Sequence, residues 1–283
     1  MNSMQVRDKL RNIANQRNID FNILLKFFVF DRFVVRLSNS RYKDNFIIKG
    51  GFLISTLFGL ENRSTMDIDS SITKTEFSEY NVLKMIREII NIDLNDSIKF
   101  SIKNVESIRD EDEYGGFRIN LMFEFECIRE MLKLDVATGD PITPSAIECN
   151  YKLMLEDRYI KVWSYPCETI LAEKLETIFS KLELNSRMKD YYDVYLIYHN
   201  DWDNINSEYL INAINRTFEK RKFTNNLDEA LSVIKSSSII KIRWEAYSRR
   251  YDYAKNIRYL DIVNCLENII NEIEIKKEEL YSK

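Results

Sequence analysis

Apolar positions along the chain recur at two spacings, one helical and one alternating. Val6, Leu10 and Ile13 recur at helical spacing and predict a first helix over residues 4–16. A second, over 21–39, carries Phe27, Phe28, Phe30, Phe33, Val34 and Leu37, too many apolar positions for one stripe, so it is read as mostly buried core. Ile47 and Ile48 form a short apolar run that Gly50 and Gly51 stop. Leu53, Leu57 and Phe58 then resume at helical spacing, so 46–71 reads as strand, turn, short helix, loop and strand. Val82, Met85, Ile86, Ile89 and Ile90 mark one face of a helix within 76–92.

Strict alternation follows. It predicts strands over 98–109 and 116–126, most clearly in Phe117, Ile119, Leu121, Phe123 and Phe125. The acidic, turn-rich segment between them, residues 110–116, reads as a solvated hairpin loop. Leu132, Leu134 and Val136 share one face of a further strand, which leaves Lys133 and Asp135 on the other. Residues 146–162 read equally as two short strands or as irregular structure. From Pro166 the helical spacing takes over, first to about residue 182 and then over 187–199, 207–221, 227–235, 239–253 and 258–280. The pattern predicts an α+β protein: a mixed domain over 1–165 and a helical domain over 166–283.

Composition narrows the class. The 283 residues are 45% hydrophobic and 30% charged, the balance of a globular, soluble chain. Only 6 Gly and 3 Pro leave little room for long irregular stretches. The net charge of −4 gives no global pull toward nucleic acid, so any RNA contact needs a local basic patch. Cys127, Cys149, Cys167 and Cys265 are far apart, and His199 is the only histidine, which argues against zinc clusters and histidine triads. Cysteines so scattered and the lack of a signal-peptide pattern at the N-terminus point to a reduced, cytoplasmic protein. The apolar stretch from Phe21 to Leu37 carries Lys26, Asp31, Arg32 and Arg36 and is no membrane span.

The candidate chemistry begins at Lys49-Gly50-Gly51. Glycines at a strand end let the backbone turn sharply and approach a ligand, and the helix start after them presents free N–H groups to a phosphate. Arg63 and Ser64 follow, and then Asp67-Ile68-Asp69. Residues i and i+2 of a strand face one side, about 6.6 Å apart along the chain. Two carboxylates so placed repel each other unless a cation lies between them, and a hard ion such as Mg²⁺, or Mn²⁺, fits oxygen ligands of this kind. Asp135, on a polar strand face, is a candidate third carboxylate. Downstream, Lys174 and Thr177 lie one turn apart on a helix, and Arg187 and Lys189 open the next. With Lys49 and Arg63 they could offset the charge of a triphosphate.

Taken together, Lys49-Gly50-Gly51, Arg63-x-Thr65-x-Asp67-x-Asp69, Lys133-x-Asp135, Ala172-Glu173-Lys174-x-x-Thr177 and Arg187-x-Lys189-Asp190-x-x-Asp193 resemble the AbiEii/AbiGii toxin family. Members of that family are nucleotidyltransferase-like toxins of bacterial toxin–antitoxin and phage-defence systems. The resemblance implies a polymerase-β-like nucleotidyltransferase core followed by a helical domain. Asp67 and Asp69 take the place of its metal carboxylates, Lys174 of its lysine and Asp190 of its later aspartate. Phe52 stands where serine is common after the glycines, so that hydroxyl contact to phosphate is missing, with backbone amides or Ser64 as substitutes. The implied substrates are a nucleoside triphosphate and an RNA acceptor, the 3′ end of tRNA by analogy, and the implied partner is a cognate antitoxin. A protein acceptor, or a nucleotide-binding module without catalysis, are the alternative readings.

Overall fold

The computed structural model describes residues 1–108 and 115–281. The chain forms two compact units, one of Met1–Gly139 with Ala146–Ser164, the other of Asp140–Ser145 with Tyr165–Lys283. The expected acidic loop lies outside the described residues except for Gly115 and Gly116.

The first unit contains α1 (Ser3–Arg17), α2 (Phe21–Ser38), β1 (Phe46–Lys49), α3 (Gly50–Phe58), β2 (Asp67–Ile72), α4 (Glu79–Ile90), β3 (Lys99–Ile108), β4 (Gly116–Phe125), β5 (Ile128–Ala137), β6 (Ile147–Lys152) and β7 (Tyr159–Ser164). Its strands make one seven-stranded sheet in the order β3-β4-β5-β2-β1-β7-β6. β2 runs parallel to β5 and β1 parallel to β7, and the other neighbours are antiparallel. The segment that sequence left open, 146–162, is thus a pair of strands, β6 and β7. Their burial is patchy rather than alternating, which is why the period was weak there.

Alternation sorts the sheet into two faces. Ile119, Leu121 and Phe123 of β4 and Leu132, Leu134 and Val136 of β5 are buried. Phe28 of α2 meets Phe123 edge-on at 6.1 Å, and Phe33 meets Phe100 of β3 at 6.4 Å. Each such ring contributes roughly 1.5–3 kcal/mol by leaving water. Phe52, in the first turn of α3, joins this core: its ring lies 5.8 Å from Phe27, 5.4 Å from Phe30 and 5.4 Å from Tyr151. The position after Gly51 is therefore a packing position.

The second unit contains α5 (Cys167–Lys181), α6 (Met188–Asp201), α7 (Ser207–Lys220), α8 (Leu227–Ser236), α9 (Ser238–Arg250) and α10 (Tyr259–Tyr281). Residues 140–145 belong to it through polar contacts. The Thr143 N–H donates to Thr169 Oγ1 at 3.0 Å, and Arg221 reaches Asp140 at 3.4 Å, Glu173 at 3.2 Å and Glu176 at 2.9 Å. These partners are distant in sequence, so a boundary drawn by period alone passes over the 140–145 segment. No helix among the described residues is long and apolar enough to cross a membrane.

One buried acid in the first unit, Asp31, has no salt bridge among the described residues. Asp31 of α2 accepts hydrogen bonds from the Tyr151 hydroxyl at 2.5 Å and the Met154 N–H at 2.8 Å. Burial pushes its carboxyl up to about 7, and the two hydrogen bonds only partly oppose that. A carboxyl with a raised folded-state pKa binds its proton more tightly folded than unfolded. Its stabilising contribution is then full below pH about 4 and is lost as pH rises to about 7, by on the order of 4 kcal/mol. Urea unfolding of wild type and Asp31→Asn at pH 5 and pH 8 checks this. The stability gap between the two pH values should shrink in Asp31→Asn, whose amide carries no charge to bury.

Candidate active site

The turn between β1 and α3 fixes the geometry. Gly50 adopts φ +64°, the left-handed region where a side chain is strained. There is no space for one either, because a Cβ on Gly50 would lie 2.2 Å from Asp69 Oδ2. The Asp69 carboxylate thus rests directly on the glycine backbone. A Cβ on Gly51 would lie 3.0 Å from Thr65 Oγ1 and 3.1 Å from an Arg63 guanidinium nitrogen. Arg63 and Thr65 are buried. The Thr65 hydroxyl donates to Asp67 Oδ1 at 2.6 Å, which orients that carboxylate at the start of β2. Ser64 is half-buried, and its carbonyl accepts from Arg63.

Strand register then lines up charge across the sheet. Lys49 of β1 is opposite Asp69 of β2, Asp69 is opposite Asp135 of β5, and Asp135 is opposite Arg118 of β4. Residues aligned across neighbouring strands share a face at about 4.8 Å spacing. The row reads cation, carboxylate, carboxylate, cation. Asp67 lies two residues from Asp69 on the same face, opposite Lys133. Asp67 and Asp69 are half-buried between buried Ile68 and Ser70.

Arg118 is the residue that sequence reading missed. Its Nε and Nη2 donate to the two oxygens of Asp135 at 2.8 and 2.7 Å. Asp135, and more weakly Asp67, hold the guanidinium strongly protonated. A lone arginine on the polar face of an alternating strand looks like a solvent-facing residue. The available signal was that Arg118 and Asn120 continue the polar face of β4. Both oxygens of Asp135 are engaged by Arg118, and no group of three or more His, Cys, Asp or Glu among the described residues is set to hold a metal ion. Asp67 and Asp69 still suit a hard divalent ion, since Mg²⁺ commonly takes one or two carboxylates and completes its shell with phosphates and water.

In the second unit Lys174 and Asp190 meet. Lys174 of α5 is buried, with its ammonium 2.6 Å from Asp190 Oδ1 and 2.8 Å from Asp193 Oδ2, both on α6. Burial pulls its pKa down, but the two aspartates outweigh that and hold it above the ordinary lysine value. Arg187 Nε lies 3.1 Å from Asp190 Oδ2. Thr177 does not extend this group. Its hydroxyl donates to the Glu173 carbonyl at 2.9 Å and accepts from Arg221 at 3.3 Å. Lys189 is half-buried.

Of the residues that sequence nominated, Lys49, Gly50, Gly51, Arg63, Ser64, Asp67, Asp69 and Asp135 gather at one edge of the first unit's polar face. Lys174 and Asp190 are paired in the second.

A family model described as the nucleotidyl transferase AbiEii toxin of type IV toxin–antitoxin systems matches residues 32–264. Among solved structures, a Helicobacter pylori protein provisionally described as a nucleotidyltransferase is similar at 16% identity and TM-score 0.50, over 92% of this chain and 97% of that one. JHP933 from Helicobacter pylori is similar at 15% identity and TM-score 0.49, over 89% of this chain and 94% of that one. No curated protein matches. At such identities the first of these structures speaks for the fold alone, a mixed α+β architecture. The family match spans most of the chain and takes in the β1–α3 turn, the three aspartates and the Lys174–Asp190 pair, so the chain belongs to the AbiEii nucleotidyl transferase toxin family.

Proposed function

We propose that the chain moves a nucleoside monophosphate from a nucleoside triphosphate to an RNA acceptor in the cytoplasm, with the 3′ end of tRNA as the specific acceptor. The observation that carries this reading is the alignment of Asp69 with Asp135 on adjacent strands, with Asp67 on the same face, beside the Gly50–Gly51 turn. An acceptor hydroxyl oxygen attacks the α-phosphorus, the bond from that phosphorus to the bridging oxygen breaks, and pyrophosphate leaves with the electron pair. The hydroxyl proton passes to a base.

Asp67 and Asp69 would hold Mg²⁺ or Mn²⁺, which when bound offsets phosphate charge and favours the ionised attacking oxygen. The chain's own groups do the rest. The glycines admit the triphosphate close to the backbone, with Ser64 as a hydroxyl neighbour. Lys49 and Arg63 supply cations beside the carboxylates. Asp135 is the third carboxylate, and service as ligand or base requires its pair with Arg118 to open. In this reading Lys174 steadies the triphosphate and Asp190 orients Lys174, with Lys189 as a further phosphate contact. The family implies an antitoxin partner. Growth arrest in phage defence would follow from blocked acceptor RNA.

Asp67→Asn and Asp69→Asn keep shape and remove charge. Each should lower transfer of labelled nucleotide into total RNA at least a hundredfold, about 2.7 kcal/mol, with an unchanged melting temperature. Undiminished transfer by both variants refutes the carboxylate mechanism, and label in protein instead of RNA refutes the acceptor.

Arg118→Gln frees Asp135. Binding of Mn²⁺, followed by its paramagnetic resonance, should tighten at least threefold if Asp135 is a ligand. Unchanged binding removes Asp135 from the metal set.

Lys174→Met strands two buried aspartates, so unfolding should show a loss of about 3–5 kcal/mol. Lys181→Ala, exposed on the same helix, is the control and should change little. Loss of triphosphate binding beyond the loss of folded protein assigns Lys174 to the phosphates. Binding that falls only in step with folded protein makes the lysine structural.

A further inference from the structure

The end of α9 carries a surface that the proposed chemistry does not use. Between Lys241 and Arg258 the chain has six lysines and arginines against Glu245 and Asp252, inside a protein whose net charge is −4. Arg243 is taken up by backbone carbonyls of Glu183 and Asn185, and Arg258 by Asp261. Lys241, Arg249, Arg250 and Lys255 are exposed.

Tyrosines lie among these cations. The Tyr251 and Tyr253 rings are stacked, 5.3 Å apart at an interplanar angle of 19°. Tyr247 lies 4.7 Å from Tyr251. Tyr253 lies 4.7 Å from the buried Tyr192 of α6, which anchors the group to the core of this unit. Tyr247, Tyr251 and Tyr253 remain half-exposed. The Arg250 guanidinium sits over the Tyr251 ring, 5.5 Å from its centre.

Arg249 and Arg250 lie in the last turn of α9, where the helix dipole favours positive charge, but Lys255 lies beyond the helix, and the dipole gives no reason for ring faces to border these cations. Ring faces bordered by exposed cations are what a single-stranded nucleic acid requires, because bases stack on the rings and phosphates meet the cations. We propose that Tyr251 and Tyr253, with Arg249, Arg250 and Lys255, form a binding platform for single-stranded RNA. The inference rests on the RNA-acceptor reading and adds to it where on the second unit the strand is held.

The test is fluorescence anisotropy with a labelled, unstructured 12-nucleotide RNA at several salt concentrations, using the full chain. Arg249→Gln/Arg250→Gln should weaken binding at least tenfold and flatten the dependence on salt, since two phosphate contacts are lost. Tyr251→Ala should weaken it at least threefold with the salt dependence unchanged, because stacking releases no counterions. Lys276→Gln, an exposed change on α10, is the control.

The inference is overturned if the double arginine variant, whose exposed side chains leave folding intact, binds RNA as tightly as the control. It is equally overturned if polyglutamate of matched charge displaces the RNA at the same concentration as a second RNA, which would mark a site for an acidic protein. Asp69→Asn separates the two readings, because it should lose transfer and keep RNA binding. Transfer to RNA by wild type, together with unchanged binding by the platform variants, would leave the proposed function standing and remove the platform.

Discussion

The fold is constrained by two like charges that share one face of a short strand. Asp67 and Asp69 cannot be separated, and the register of β2 on β5 sets a third carboxylate beside them. At about 5 Å and an effective dielectric of about 20, each such repulsion is worth about 3 kcal/mol before any counter-charge is added. The strand order supplies the counter-charges. β1 brings Lys49 to one end of the row and β4 brings Arg118 to the other. The glycine turn follows from the same demand, since Asp69 occupies the volume that any side chain at position 50 would need.

The second unit meets the same problem differently. There a lysine is sunk between two aspartates in a helical core, where each charge on its own would pay a large desolvation cost. An arrangement of this kind holds one position in space closely and tolerates little change of partner. The half-exposed Arg118–Asp135 pair is the opposite case, because water can replace either partner as the pair opens.

Much of this was legible in the sequence. Alternation and helical spacing placed the strands and helices, and the i, i+2 spacing of Asp67 and Asp69 put both on one face. Pairing between strands was not legible, because β2 and β5 meet across an intervening hairpin and a helix. Nothing in a single sequence aligns Asp69 with Asp135. Arg118 was missed for that reason, as its role exists only through β5. The ion pairs of Lys174 likewise come from another element, α6, while Glu173 and Glu176, its neighbours along α5, serve Arg221. Phe52 marked a departure from the family's serine, and the structure gives the reason, an aromatic core that reaches into the first turn of α3.

The parallel pairing of β1 with β7 bears on how the protein comes into being. Ile47 pairs with Trp163 and Ile48 with Ser164, so β1 waits for one of its two neighbours until the whole first unit has left the ribosome. Long-range parallel closure is slow, because the loop entropy is lost before the contacts are gained. During that interval β1 shows one open edge beside the glycine turn, and a nascent chain ending before β5 has only the Lys49–Asp69 end of the charge row. Assembly of the row therefore depends on translation running well past the motif that first announces it.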